Sequence, residues 1–147
     1  VLDFGFKVSG YCSDFTRTVF LKKISPELTH IYLSTEESYK QGVKAAKANV
    51  IAKNVDLAAR KKLEEYNLDK YFIHSLGHGT GLNVHEAPNV YEQSEEVLKN
   101  GMVFSIEPGV YIERLGGVRI EDLVYLKNGQ IKYFAKTSTA LKDMIIK

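Results

Sequence analysis

Five residues in this chain have the chemistry to hold divalent cations: Asp3 in Leu-Asp-Phe-Gly, Asp14 in Cys-Ser-Asp-Phe-Thr-Arg-Thr, His78 in Leu-Gly-His-Gly-Thr-Gly, Glu107 in Ser-Ile-Glu-Pro-Gly and Glu121 in Val-Arg-Ile-Glu-Asp. Four carboxylates and one imidazole are hard to borderline ligands, suited to manganese, cobalt, iron or zinc rather than to soft metals. Such a set points to a hydrolase using two metal ions. Two ions ~3.5–4 Å apart can activate one water and polarise a carbonyl together. Bridging carboxylates are what hold two like charges so close.

Burial cost sharpens the candidates. Glu107 and Glu121 sit in apolar runs, Val103-Phe104-Ser105-Ile106 and Val118-Arg119-Ile120. A charge amid apolar strand residues is costly unless it is paired or metal-bound. His78 lies between Gly77 and Gly79, where absent side chains would allow close approach to a ligand. Asp3 and Asp14 taken singly could equally be strand-end or turn residues, and Arg119 could serve simply to pair with Glu121 or Asp122. His74 and His78 are four apart, but the flanking glycines argue against a helix. His85-Glu86 lacks the second histidine of the zinc-peptidase helix motif.

Asp3-Phe4-Gly5, Gly10 to Thr18, His74 to Gly79, His85-Glu86-Ala87-Pro88, Ile106 to Gly109 and Gly117 to Asp122 together resemble the Xaa-Pro aminopeptidase and prolidase branch of the pita-bread metallopeptidases. The motifs are collinear with that family's across nearly the whole chain. The resemblance implies an α+β fold, a curved antiparallel sheet with helices on its outer face. It implies two divalent metal ions, manganese ahead of cobalt, zinc or iron. Asp3 would bind one, His78 and Glu107 the other, and Asp14 and Glu121 both. His74 and His85 would face the substrate, Arg119 would support the bridging carboxylates, and Glu107 would carry the proton to the leaving nitrogen. The substrate implied is a peptide with proline in the second position, attacked by a metal-bridging hydroxide. Methionine aminopeptidases share the His-Gly and Glu-Pro motifs and are the alternative within the fold. A non-catalytic peptide-binding pita-bread module is the alternative outside catalysis, disfavoured because all five ligand positions are kept.

The elements that must position these residues are legible in outline. Residues 1 to 22 read as a β-hairpin turning at Lys7-Val8-Ser9-Gly10. A mid-point between Val8 and Ser9 would set Asp3 and Asp14 directly opposite, with Cβ atoms ~4.5–5.5 Å apart. Ser25-Pro26 reads as a helix cap and first position, with Ile31, Tyr39, Val43 and Ala46 recurring to about Val50. A second helix is expected after Asn54, its stripe being Val55, Ala58, Ala59, Leu63 and Tyr66. Extended segments are expected at Tyr71–His74, Met102–Ile112 and Gly117–Leu126, the last two reversing at Gly116-Gly117. Glu86, Glu92, Glu95 and Glu96 read as solvated charge, and Tyr11, Tyr91 and Tyr111 as half-exposed strand residues that could line a proline pocket.

Composition bounds the rest. The chain has 147 residues, 44% hydrophobic and 26% charged, with 20 basic against 18 acidic residues. That is enough apolar content for one core, and the balanced charge offers nothing to nucleic acid. One cysteine, Cys12, excludes an internal disulfide and fits a reducing cytoplasm; a half-buried strand position suits it better than a reactive one. No apolar stretch approaches the ~20 residues that cross a bilayer. Residues 1–147 are expected to form a partial metallopeptidase catalytic domain, truncated at its N-terminus. An exposed strand edge near Val1 would impair activity and favour a homo-oligomer.

Overall fold

The structure, a computed structural model, describes residues 1–135 and 137–147. The first hairpin comprises β1 (Leu2–Phe4), β2 (Lys7–Val8), β3 (Tyr11–Cys12) and β4 (Phe15–Arg17), followed by β5 (Phe20–Leu21). Its turn is centred one residue later than expected, between Ser9 and Gly10, which both have positive φ (51° and 87°) as a tight hairpin turn requires. Asp3 therefore pairs with Thr16, and Asp14 stands diagonal to Asp3. The displacement changes each pairing by two residues, the period of a strand, so the same side chains keep the same face.

Helix α1 (Pro26–Ala45) starts as expected, with Ser25 Oγ accepting from the Leu28 amide and Pro26 in the first turn. It stops five residues before Val50, because Lys47 leaves to bridge Gln130 and Asn49 takes φ 70°. Helix α2 (Ala52–Glu64) begins before Asn54. Ile51 bridges Val97 and the Ala52 amide donates to the Glu96 carbonyl, so tertiary pairing launches the helix rather than a side-chain cap. Of its stripe, Val55, Ala59 and Leu63 are buried while Tyr66 is exposed.

The second half supplies β6 (Gly77–Gly79), β7 (Glu86–Val90), β8 (Val103–Ile106), β9 (Gly109–Ile112), β10 (Gly116–Arg119), β11 (Glu121–Lys127), β12 (Gln130–Tyr133) and β13 (Ile145–Ile146). The segment Tyr71–His74 is not extended: a 3₁₀ turn at Asp69–Tyr71 leads into irregular chain. The run Met102–Ile112 breaks at Glu107-Pro108, and Gly117–Leu126 breaks at Ile120. The reversal between them lies at Glu113–Leu115, ahead of Gly116-Gly117, with Ile112 paired to Gly116.

The main sheet runs β1-β4-β11-β8-β6-β7, all antiparallel, with β12 sharing an edge of β11. Alternation along its strands separates two functions. Phe104 and Ile106 of β8 and Val124 and Leu126 of β11 join Tyr32, Tyr39, Val55, Ala59, Leu63 and Leu76 in the core beneath the helices. The intervening positions face the other way. Asp3, Thr16 and Glu121 are paired in one row across three strands, and Glu107 lies one step beyond the last β8–β11 pair, Ile106 with Asp122. Among the described residues, no helix is long and apolar enough to cross a membrane.

Candidate metal centre

Asp3, Asp14, His78, His85, Glu107 and Glu121 all line one cavity of about 630 Å³ on the sheet face opposite the helices. One ligand atom each from Asp14, His78 and Glu121 lies within 4.8 Å of the others. His74 and Arg119 do not line this cavity; they stand one layer behind it.

His78 is aimed by its own strand. Its Nδ1 lies 3.0 Å from the Gly79 carbonyl, which can only accept, so Nδ1 carries a proton. Nε2 then faces Glu107 Oε1 at 3.2 Å and Asp14 Oδ2 at 3.7 Å. The flanking glycines have a more local cause than ligand access. A Cβ on Gly77 would collide with the Ser105 carbonyl, and one on Gly79 with the Ala87 carbonyl. Close packing of backbones therefore demands glycine at both positions. His85 packs against His78, ring centroids 4.1 Å apart and planes tilted by 54°.

Second contacts fix the carboxylates. Ser105 Oγ donates to Glu107 Oε1 at 2.9 Å and accepts from the His78 amide at 3.0 Å. Thr16 Oγ1 donates to Glu121 Oε2, while Arg119 Nε donates to Thr16 Oγ1 at 3.3 Å. Arg119 also pairs with Asp3 and donates to the Tyr111 hydroxyl at 2.7 Å. It thus contacts neither Glu121 nor Asp122 directly; Arg17 takes Asp122 instead, at 2.8 Å. Tyr111 reaches His74 Nε2 at 3.2 Å, and His74 Nδ1 lies 2.8 Å from the Ser75 carbonyl. With Nδ1 protonated towards that carbonyl, the Tyr111 hydroxyl donates to Nε2, completing a chain from Asp3 through Arg119 and Tyr111 to His74. Tyr11 and Tyr91 do not line this cavity: Tyr11 lines an adjoining apolar one that shares Asp14, and Tyr91 one whose wall includes His74.

Four carboxylates in one cavity make its electrostatics unfavourable in the absence of cations. Burial, then the charges of Glu107, Asp14 and Asp3, push Glu121 up to about 8, against the lowering effect of the Thr16 bond. Asp14 is raised by burial and by Asp3 and Glu107, with His78 opposing. Burial alone would lower His78, but its bonds to Glu107 and Gly79 and the charges of Glu107 and Asp14 prevail and bring it up to about 9. Acidic groups held together against their own repulsion, with an imidazole nitrogen pointing in, form a donor set that fits hard or borderline divalent cations.

Sequence reasoning missed the supporting contacts. Thr16 and Thr18 entered only as part of a motif, yet Thr18 Oγ1 both donates to the Arg119 carbonyl and accepts from its amide. Ser105 and Arg17 were not singled out. The available signal was period: Ser105 is two residues before Glu107, on its face.

The arrangement is that of a metallopeptidase. Residues 1–128 match metallopeptidase family M24, and the chain belongs to that family. It is 45% identical over 141 residues to the Xaa-Pro dipeptidase of Pyrococcus furiosus, covering 96% of this chain and 40% of the relative. The structure matches the dipeptidase of Pyrococcus horikoshii OT3 with TM-score 0.95 at 41% identity, covering 99% of this chain and 40% of that one. It matches the Xaa-Pro dipeptidase of Bacillus anthracis with TM-score 0.95 at 39% identity, with 99% and 40% coverage. The fold is the pita-bread fold expected from the motifs. The chain spans about 40% of the length of these relatives.

Proposed function

We propose that the protein containing this chain is a proline-directed metallopeptidase, hydrolysing Xaa-Pro dipeptides or an N-terminal Xaa-Pro bond. The observation carrying this reading is the single cavity that gathers Asp3, Asp14, His78, Glu107 and Glu121 from five separate motifs. Those residues would hold two divalent cations, Asp3 towards one, His78 and Glu107 towards the other, with Asp14 and Glu121 between them. When bound, the cations would supply Lewis acidity towards the peptide carbonyl and acidify water near neutral pH.

The chain's own residues account for the remaining work. Ser105 holds Glu107 Oε1, and we assign Oε2 to moving a proton from water to the leaving nitrogen. Arg119 offsets the Asp3 charge and, through Thr16, restrains Glu121. His85, on the cavity wall, and His74, at the end of the Tyr111 chain, are the groups assigned to substrate. The relatives named Xaa-Pro dipeptidase favour this substrate class over that of methionine aminopeptidases.

The test joins metal content to turnover. Protein loaded with manganese or cobalt should bind metal and cleave an Xaa-Pro dipeptide far faster than methionyl-alanine, and Glu121→Gln should carry less metal. Equal loading of the variant would refute the Glu121 assignment; faster methionyl-alanine cleavage would move the protein to the sister class.

A further inference from the structure

Residues Phe72 to Leu76 carry His74 up behind the cavity without a strand partner. Their backbone polar groups need partners all the same, because such groups seldom stay unpaired in a folded interior. The partners come from two side chains one turn apart on α2. Asp56, fully buried, accepts from the Leu76 amide at 3.0 Å through Oδ1. Arg60 is bound to Asp56 Oδ2 at 2.6 Å and donates onward, to the Phe72 carbonyl at 2.9 Å and to the His74 carbonyl at 2.6 Å. Its guanidinium lies 4.2 Å over the Phe72 ring, and that ring meets the His74 imidazole edge-on at 4.9 Å.

Both ends of the segment are therefore gripped from one helix. The Leu76 carbonyl, in turn, accepts from the Glu107 amide at 2.8 Å, and His78 follows two residues later. We propose that Asp56 and Arg60 are positioning residues, which set where the His74 imidazole stands. This rests on the proline-directed hydrolase reading only for its kinetic test. A guanidinium fork suits the task, because its planar donors reach two carbonyls while a third nitrogen stays on the carboxylate, a geometry lysine cannot reproduce. Without the guanidinium the segment is free to shift, and a misplacement of about 1 Å in a supporting group can cost ~100-fold in rate.

The experiment uses the full-length, metal-loaded protein and four variants: Arg60→Met, Arg60→Lys, His74→Ala and Arg60→Met with His74→Ala. For Xaa-Pro dipeptide hydrolysis, Arg60→Met should lose at least tenfold in kcat with bound metal unchanged, and Arg60→Lys a smaller part of that. In the His74→Ala background, Arg60→Met should cost less than about twofold more, since the group it positions is already gone. Equal losses in both backgrounds would show that Arg60 does not act through His74, and would overturn the proposal. Independently of turnover, the His74 ring ¹⁵N resonances should move in Arg60→Met and Arg60→Lys while those of His30 do not. Unmoved His74 resonances would also overturn it. Absence of turnover in the wild type would instead refute the hydrolase reading and leave the resonance test standing.

Discussion

Replacing Arg17 by methionine should be among the most damaging single changes available, although Arg17 does not touch the cavity. Its guanidinium makes five bonds: to the carbonyls of Thr16, Glu121 and Ser138, to Thr137 Oγ1 and to Asp122 Oδ1. Its side chain and that of Asp122 are 7% and 8% exposed, so the pair is effectively buried. Tyr39 donates to the remaining oxygen, Asp122 Oδ2, at 2.6 Å. Breaking a buried pair by removing one partner costs about 3–5 kcal/mol, because the other charge stays behind without compensation. With a urea m-value of about 2 kcal/mol/M, the denaturation midpoint should fall by ~1.5–2.5 M. The double variant, Arg17→Met with Asp122→Leu, should cost less than the two single losses added, because it leaves no orphan charge. Divalent-cation affinity should fall as well, since β4 and β11 pair only at Glu121–Thr16 and Asp122–Phe15, where Glu121 enters the cavity. Urea unfolding followed by circular dichroism measures the first effect and calorimetric cation titration the second. A loss under about 1 kcal/mol in both single variants would refute the reasoning.

Cation binding at pH 7 should release protons. Glu121, pushed up to about 8, and His78, brought up to about 9, are both protonated there without metal and must deprotonate to ligate. Apparent affinity should therefore climb from pH 6 towards pH 9; calorimetry in buffers of different ionisation enthalpy counts the protons, and none released would contradict the assignment. Gly77→Ala should disrupt the β6–β8 approach, because the new methyl meets the Ser105 carbonyl. A metal-binding loss of tenfold or more is expected, checked by cation titration, and wild-type affinity would show that the backbones can part without consequence.

Of the site, Glu107, Glu121 and His78 were readable along the chain, because a carboxylate in an apolar run or a histidine between glycines violates the local pattern; Asp3, Asp14 and His85 stood out only through the family motifs. All six line one cavity. Groups whose role lies in a contact were not readable. Arg119 faces a choice among several acids in sequence, and it takes Asp3 across the sheet. Asp56 and Arg60 look like an ordinary helix ion pair, and only the path of the chain at Phe72–Leu76 gives that pair its use.

Local sequence was enough to place Asp3 and Asp14 on one strand face, since a period of two survives a hairpin turn displaced by one residue. It also determined the start of α1, whose Ser25-Pro26 cap is local chemistry. Tertiary structure alone decided the diagonal placement of Asp14 against Asp3, the early start of α2 at the Ile51–Val97 bridge, and the partners of every supporting side chain. The cause is range: capping and alternation act over a few residues, whereas register, ion-pair choice and loop path are set by chain segments far away, as in the Asp3–Arg119 pair, 116 residues apart.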